Sequence, residues 1–345
     1  MTRCRNIEVI RNRMYCKPIY GIKPRIRPAA WYYIGLGINL LRESKVNKET
    51  PAPRITKAVV AVAGSGTRFL PATKTMPKEM LPIVDKPIIQ IVVEELVEAG
   101  IKDIILVTRA DKRALEDHFD HNLALEHELA RNGKLDRCEE IARISDMANF
   151  VYIRQKGPYG NGTPVICAAN LVKDEAFVYV WGDDLVKSKT SFTKSMIEDY
   201  YGHGHLMIGV QKVPEEAVNL YGIVKLREGL MEVEDIIEKP AIDKAPSQLA
   251  DFGRMILNQD IIDILEKTPL GKGNELWVVD AIREYVRRGG VFMAKEVEDG
   301  EWLTTGDPLN YLKAVLVYAM DRGDVRVDLK KFMRELLETD RKSKR

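Results

Sequence analysis

Ala61-Val62-Ala63-Gly64-Ser65-Gly66-Thr67-Arg68-Phe69-Leu70-Pro71-Ala72-Thr73-Lys74-Thr75-Met76-Pro77-Lys78-Glu79-Met80-Leu81-Pro82 is the stretch whose reading decides the fold. It continues an apolar run, Ala58 to Ala63, that reads as a buried first strand of an α/β domain. Gly64 and Gly66 allow positive φ and bring backbone N–H groups close to an anion. Arg68 adds a planar fork of donors, and Lys74 and Lys78 add point charges. Two readings stand side by side: a tight strand-to-helix turn, and a loop that grips a triphosphate. The spacing matches neither standard nucleotide fingerprint. Bulky Phe69 stands where Gly-x-Gly-x-x-Gly needs its third glycine, and no Gly-Lys-[Ser/Thr] follows.

Outward from this loop, strands and helices alternate, which argues for parallel strands joined by helical crossovers. Helix is expected over Ile88–Ala99, Asp111 to about Asn132, Thr163–Leu171 and Thr190–Tyr201. Strand is expected over Asp103–Thr108, Asn149–Arg154, Ala176–Trp181 and Leu206–Lys212. After about Pro214 the pattern changes to two strands near a hairpin, Tyr221–Leu226 and Glu232–Glu238. Helices then follow at Ala281–Arg288, Asp307–Met320 and Leu329–Thr339. The fold class is therefore α/β: a Rossmann-like, mixed but mostly parallel sheet flanked by helices. Ligands should gather at the carboxyl ends of its strands.

Three further segments carry candidate chemistry. Gln155-Lys156-Gly157-Pro158-Tyr159-Gly160-Asn161-Gly162 reads from spacing as a Gly-rich turn, although a Gln amide also suits the edge of a base. Trp181-Gly182-Asp183-Asp184 ends a strand; its carboxylates are either a Mg²⁺ ligand facing phosphates or a helix cap. Glu238-Lys239-Pro240 reads as an ordinary solvated strand end.

The continuation through Thr67-Arg68 and Pro77-Lys78-Glu79-Met80-Leu81-Pro82 resembles the signature of the sugar-nucleotide pyrophosphorylases, in the form of the bacterial UTP–glucose-1-phosphate uridylyltransferases. The resemblance begins at about Lys57. It implies a nucleotidyltransferase domain over 57–325, with a nucleotide-binding half at 57–213 and a sugar-phosphate-binding half at 214–305. Residues 326–345 then form a C-terminal helix and charged tail. It implies that Ala63, Gly64, Ser65, Gly66, Thr67, Arg68, Lys78, Glu79, Gln155, Gly160 and Gly182 bind the nucleotide. Asp183 then holds Mg²⁺, with Asp184 as a cap or a support behind it. Gly222, Glu238, Lys239, Gly253 and Glu275 bind the sugar phosphate, and Arg68, Lys78, Asp183 and Lys239 carry catalysis. The expected reaction is attack by glucose 1-phosphate on the α-phosphorus of UTP, giving UDP-glucose and pyrophosphate. The nucleophile is already an anion, so no general base is required, in keeping with five His that all lie outside these motifs. A thymidylyltransferase making dTDP-sugars ranks second, since such relatives favour Gln where Glu79 stands. A sugar-nucleotide-binding regulator without turnover is the reading from another class.

The chain departs from the family pattern at three places. Gly160-Asn161-Gly162-Thr163-Pro164 replaces Gly-Leu-Gly-His-Ala. Glu275-Leu276-Trp277-Val278-Val279-Asp280-Ala281 replaces Glu-Ile-Gln-Leu-Thr-Asp-Ala, a change at Trp277 that is expected to reshape the sugar pocket. In Trp302-Leu303-Thr304-Thr305-Gly306-Asp307 the Asp that relatives place two residues before the Gly is Thr304. Either one Asp suffices for the metal, or Asp307 reaches it from three residues on, or catalysis is lost.

Composition sets the frame around this site. At 345 residues, 45% hydrophobic and 30% charged, the chain has the makeup of a soluble globular protein with ample core. No apolar run reaches membrane-span length. Cys4, Cys16, Cys138 and Cys167 are scattered, so neither a disulfide framework nor a zinc site is indicated, and reduced cytoplasm is the expected compartment. Residues 1–56 carry 12 Lys and Arg against 3 Asp and Glu, whereas the remainder carries 41 against 48. This basic head reads as a disordered extension, with Val46 a candidate start through a GTG codon, rather than a tether to nucleic acid or membrane; the intact mass of the native protein would settle it. Small-molecule substrates are the expected partners. A homo-oligomer is implied by the family, with Phe332, Leu336 and Leu337 as a candidate surface.

Overall fold

Ala58, Val59 and Val60 are fully buried at the centre of β1 (Lys57–Ala61), as expected of a strand covered on both faces. The computed structural model describes residues 54–343. The expectations made for the basic head and for Val46 lie outside the described residues.

After β1 come the short strands β2 (Pro82–Ile83) and β3 (Lys86–Pro87), then α1 (Ile88–Glu98) and β4 (Asp103–Thr108). Next are α2 (Arg113–Phe119), α3 (Leu123–Arg131), α4 (Leu135–Asp146), β5 (Asn149–Arg154), α5 (Thr163–Ala168), β6 (Phe177–Trp181), β7 (Asp184–Ser188) and α6 (Phe192–His203). The remainder is β8 (Leu206–Lys212), β9 (Gly222–Leu226), β10 (Val233–Glu238), β11 (Leu249–Leu257), α7 (Gln259–Leu265), α8 (Val278–Arg287), β12 (Phe292–Glu296), β13 (Gly300–Thr304), α9 (Pro308–Ala319) and α10 (Arg326–Ser343). One nine-stranded sheet runs β10-β9-β11-β6-β1-β4-β5, with β8 also on β11 and β12 on β8. The pairings orient every strand alike except β10 and β11. The sheet is thus mixed and mostly parallel, with helices on both faces. Alternate residues of the central strands feed two cores: Ala58, Val60, Ile104 and Leu106 face α1 and α6, while Val59, Ile105 and Val107 face α5, α7 and α8.

β11 decides where the second half of the site stands. Its Arg254–Leu257 segment pairs with β6, but Leu249 and Ala250 extend past the end of β6 and pair with β9. The β9–β10 ribbon therefore rises beyond the carboxyl ends of the parallel strands, as a wall beside the opening loop. The sequence reading had no strand here, because Asp251, Gly253 and Arg254 interrupt the apolar pattern. Arg254 is fully buried and donates to Glu95 Oε2 of α1 and to the Asp184 carbonyl, both at 2.8 Å. It ties β11 to the opposite helix layer and does not border the cleft.

Two other expectations are corrected. The helix expected over Asp111–Asn132 is broken at Asp120–Asn122, where the Asn122 side chain accepts from Leu125 N and starts α3 afresh. The pair Asp183-Asp184 caps no helix: Asp184 opens β7, which pairs antiparallel with β13. Among the described residues no helix is long and apolar enough to cross a membrane.

Candidate active site

A cleft of about 390 Å³ opens where β1 and β6 end side by side and the β9–β10 ribbon rises opposite. That is within the usual size range of small-molecule pockets. One end of it is built from the loop after β1. Ala63, Gly64, Ser65 and Arg68 border it, and Lys78 crosses beneath, its Cε 3.4 Å from where a Cβ on Gly64 would sit. Gly66 has φ 64° and opens the short turn Thr67–Phe69, and Thr73 Oγ1 donates to its carbonyl at 2.7 Å. Gly66 and Thr67 thus shape the loop from behind and do not border the cleft. Gly182 does the same after β6, since a side chain there would strike Val62 Cγ1.

Lys78 Nζ is ion-paired with Asp183 Oδ2. Burial works against the Lys78 charge, but Asp183 and Glu79 outweigh it and hold the ammonium above its ordinary pKa. The Asp183 carbonyl is gripped by the backbone N–H and the hydroxyl of Thr305, at 3.0 and 2.6 Å, which aims the carboxylate into the cleft. Arg68 Nη1 donates to the Gly306 carbonyl at 3.2 Å. A methyl group on Gly306 would lie 3.4 Å from Thr304 Oγ1, 3.5 Å from Arg68 Nη1 and 3.9 Å from Asp183 Oδ2, so these three polar groups surround one point.

Asp307 does not reach that point. Its carboxylate caps α9, accepting from Leu309 N and Asn310 N, and its other oxygen accepts from Asn310 Nδ2 at 2.6 Å. The expectation that it substitutes for a second metal carboxylate is therefore corrected: the Pro at the first turn of α9 fixes the helix start, and Asp307 is the cap it needs. Asp184 lies behind Asp183, where its Oδ1 accepts from the Trp302 indole at 2.7 Å and burial pushes its carboxyl up to about 7. Among the described residues no three His, Cys, Asp or Glu side chains converge as a metal cluster.

Glu79 borders the cleft, but both its oxygens are held by Lys112 Nζ at 2.7 Å in a buried pair. Burial raises Glu79 and lowers Lys112 from their ordinary values. Lys112 escaped the sequence reading; a lysine inside the segment joining β4 to α2 carries no local signal that it is buried.

The middle of the cleft is a junction. Gln155 and Gly160 border it, and Gly160 (φ 120°) packs so tightly on the Leu276 backbone that any side chain would overlap it. Leu276 N donates to the Tyr159 carbonyl and Gly162 N to the Leu276 carbonyl, both at 2.8 Å. Asn161, one of the departures, accepts from Val278 N at 2.9 Å and so stitches the turn to the start of α8.

At the far end stand Gly222, Glu238, Lys239, Glu275 and Trp277. Gly222 pairs with Glu238 across the β9–β10 ribbon. Lys239 has φ 43°, a conformation rare outside glycine, and such backbone strain collects at functional sites. Its Nζ lies 3.1 Å from Glu238 Oε1 and 4.1 Å from the centre of the Trp277 ring. Trp277 is fixed in turn, donating its indole N–H to the Lys272 carbonyl at 2.9 Å. Lys272 Nζ donates to the Lys239 carbonyl at 2.7 Å. Gly253, grouped with these residues on the sequence, lies instead under the Trp181 ring with φ 71° and no border on the cleft.

The nucleotidyl transferase family matches residues 57–320, which is most of the chain. This chain belongs to that family. A UTP–glucose-1-phosphate uridylyltransferase of Bacillus subtilis (strain 168) is 44% identical over 287 residues, 82% of this chain and 98% of that protein. A UTP-bound UGPase from Acinetobacter baumannii superposes with a TM-score of 0.75 at 38% identity, over 82% of this chain and 99% of the other. A UDP-glucose pyrophosphorylase complexed with UDP-glucose gives a TM-score of 0.70 at 38% identity, over 78% and 100%. The transferase is thus aligned along nearly the full length of these relatives, and its sheet is theirs.

Proposed function

We propose that this transferase makes UDP-glucose and pyrophosphate from UTP and glucose 1-phosphate in a Mg²⁺-dependent reaction. The observation that carries this reading is the gathering of the Gly64–Arg68 loop, the Lys78–Asp183 pair and Lys239 around one cleft. Residues 57–213 would hold the nucleotide and 214–305 the sugar phosphate. A phosphate oxygen of the sugar attacks the α-phosphorus; that P–O bond forms as the bond to the β-phosphate's bridging oxygen breaks, and pyrophosphate leaves with the electron pair. Arg68 and the loop amides hold the β- and γ-phosphates and steady the leaving group, while Lys78 offsets charge at the α-phosphate. Lys239 holds the incoming phosphate, and Gln155 with Gly160 meets the base.

The donor set at Asp183 suits Mg²⁺: one carboxylate aimed into a phosphate site, with the Thr304 hydroxyl near the same point. Mg²⁺ commonly takes one or two protein carboxylates and completes its shell with phosphate and water. When bound it would neutralise charge on the triphosphate. The exposed Phe332, Leu336 and Leu337 on α10 support a homo-oligomer.

A matrix of nucleoside triphosphates against sugar 1-phosphates, read by pyrophosphate release, tests the reading. UTP with glucose 1-phosphate should give the highest kcat/KM. A preference for dTTP would select a thymidylyltransferase, and UDP-glucose binding without turnover a regulator.

A further inference from the structure

Two buried carboxyl groups below the sugar end of the cleft are each left with one oxygen unused. Asp251 of β11 is fully buried; its Oδ1 accepts from Gly253 N at 2.8 Å, and its Oδ2 has no hydrogen-bond partner among the described residues. Glu238 of β10 borders the cleft; its Oε1 pairs with Lys239 at 3.1 Å, and its Oε2 likewise has none. Both orphan oxygens flank the space left by the missing side chain of Gly222. A methyl group there would lie 3.3 Å from Glu238 Oε2 and 3.7 Å from Asp251 Oδ2, with Val279 Cγ1 closing the third side at 3.3 Å.

Two buried ionised carboxylates that face one gap repel each other, and no protein donor compensates the hydration that their unused oxygens lose. One added proton resolves both difficulties. On Asp251 Oδ2 it makes a neutral acid that faces, across the Gly222 gap, an oxygen without a partner among the described residues, Glu238 Oε2. We propose that Asp251 is a positioning residue, a carboxylic acid that donates its proton to Glu238 across the Gly222 gap. Glu238 thereby keeps its remaining oxygen on Lys239, and Lys239 stays over the Trp277 ring where the sugar phosphate arrives.

The charges around the pair agree with this. Asp184 is the other acid that bears on Asp251, and Asp280, Lys272 and Lys239 face Glu238. Of the cations, only Lys239 is paired with either carboxyl, and Asp251 has just the Gly253 N–H, so the environment supports one anion and not two. Burial raises both carboxyls, Asp251 well above the ordinary range.

The test joins a spectroscopic and a kinetic readout on the full-length enzyme. The infrared difference between wild type and Asp251→Asn at neutral pH should show the carbonyl stretch of a protonated carboxylic acid in the wild type alone. Asp251→Ala should raise KM for glucose 1-phosphate about tenfold, the usual order for a hydrogen bond to a charged group, with KM for UTP little changed. Asp251→Asn, whose amide supplies an N–H in the same place, should recover most of that loss. The proposal is overturned by the absence of the carboxylic band, by Asn proving as damaging as Ala, or by equal effects on both substrates. The kinetic arm rests on the glucose 1-phosphate reading, whereas the infrared arm does not. A chain that turns over another sugar phosphate therefore fails the one without failing the other. Should the Ala variant not fold, the Asn variant and its spectrum decide.

Discussion

The two ends of the cleft are built in opposite ways. At the phosphate end, most of the polar groups come from one stretch, 63–79, set against β6 through the Lys78–Asp183 pair. At the sugar end, Gly222, Glu238, Lys239 and Trp277 come from three separate segments, and they are brought together by β11 and by the docking of Gly160 on Leu276. The phosphate end thus depends on local backbone geometry and paired charges. The sugar end depends on long-range packing, and on a lysine held in a strained conformation over an indole. Damage to one end should leave binding at the other measurable.

The largest effect should come from the phosphate end. Asp183→Ala is expected to lower kcat by at least about 10²–10³-fold, the scale of losing one preorganised electrostatic contact to a transition state. The fold should stay intact, and pyrophosphate release read together with circular dichroism checks both. Lys112→Met separates stability from chemistry at the same end. It leaves Glu79 buried and unpaired, at a cost of about 3–5 kcal/mol, visible as a lower denaturant midpoint.

Smaller effects should come from the sugar end. Trp277→Leu removes the ring beneath Lys239 and should raise KM for glucose 1-phosphate a few-fold. That corresponds to the roughly 0.5–2 kcal/mol of a cation–π contact. If KM for UTP rises equally, the two ends are not independent and the contrast fails. The smallest expected change is that of Asp307→Ala, about 1 kcal/mol of stability for a lost helix cap. The Mg²⁺ concentration giving half-maximal rate should not move; a rise would return Asp307 to the metal site.

The same contrast explains what could be read from the sequence. The loop after β1 was legible because its residues are contiguous and each type has a narrow physical use. β4, β5 and β8 were legible by their apolar, β-branched runs, and their limits coincide with those expected. β11 was not, since a strand carrying Asp251, Gly253 and Arg254 looks polar until its partners are known: Arg254 needs Glu95, 159 positions away. Lys112 and Asp251 were missed for the same reason, their burial being a property of what packs on them. Asp307 was over-read, because a carboxylate before Pro308 serves a helix start as readily as a metal, and only the backbone distinguishes the two.

The central claim is that the loop after β1 and the single carboxylate of Asp183 hold a nucleoside triphosphate and its metal. Crystals soaked with UTP and Mn²⁺, and measured for anomalous scattering, test it most directly. The account predicts triphosphate density against Gly64–Arg68 and an anomalous peak bridging it to Asp183. A triphosphate bound away from that loop, or a peak on other carboxylates with Asp183 still paired to Lys78, would contradict it.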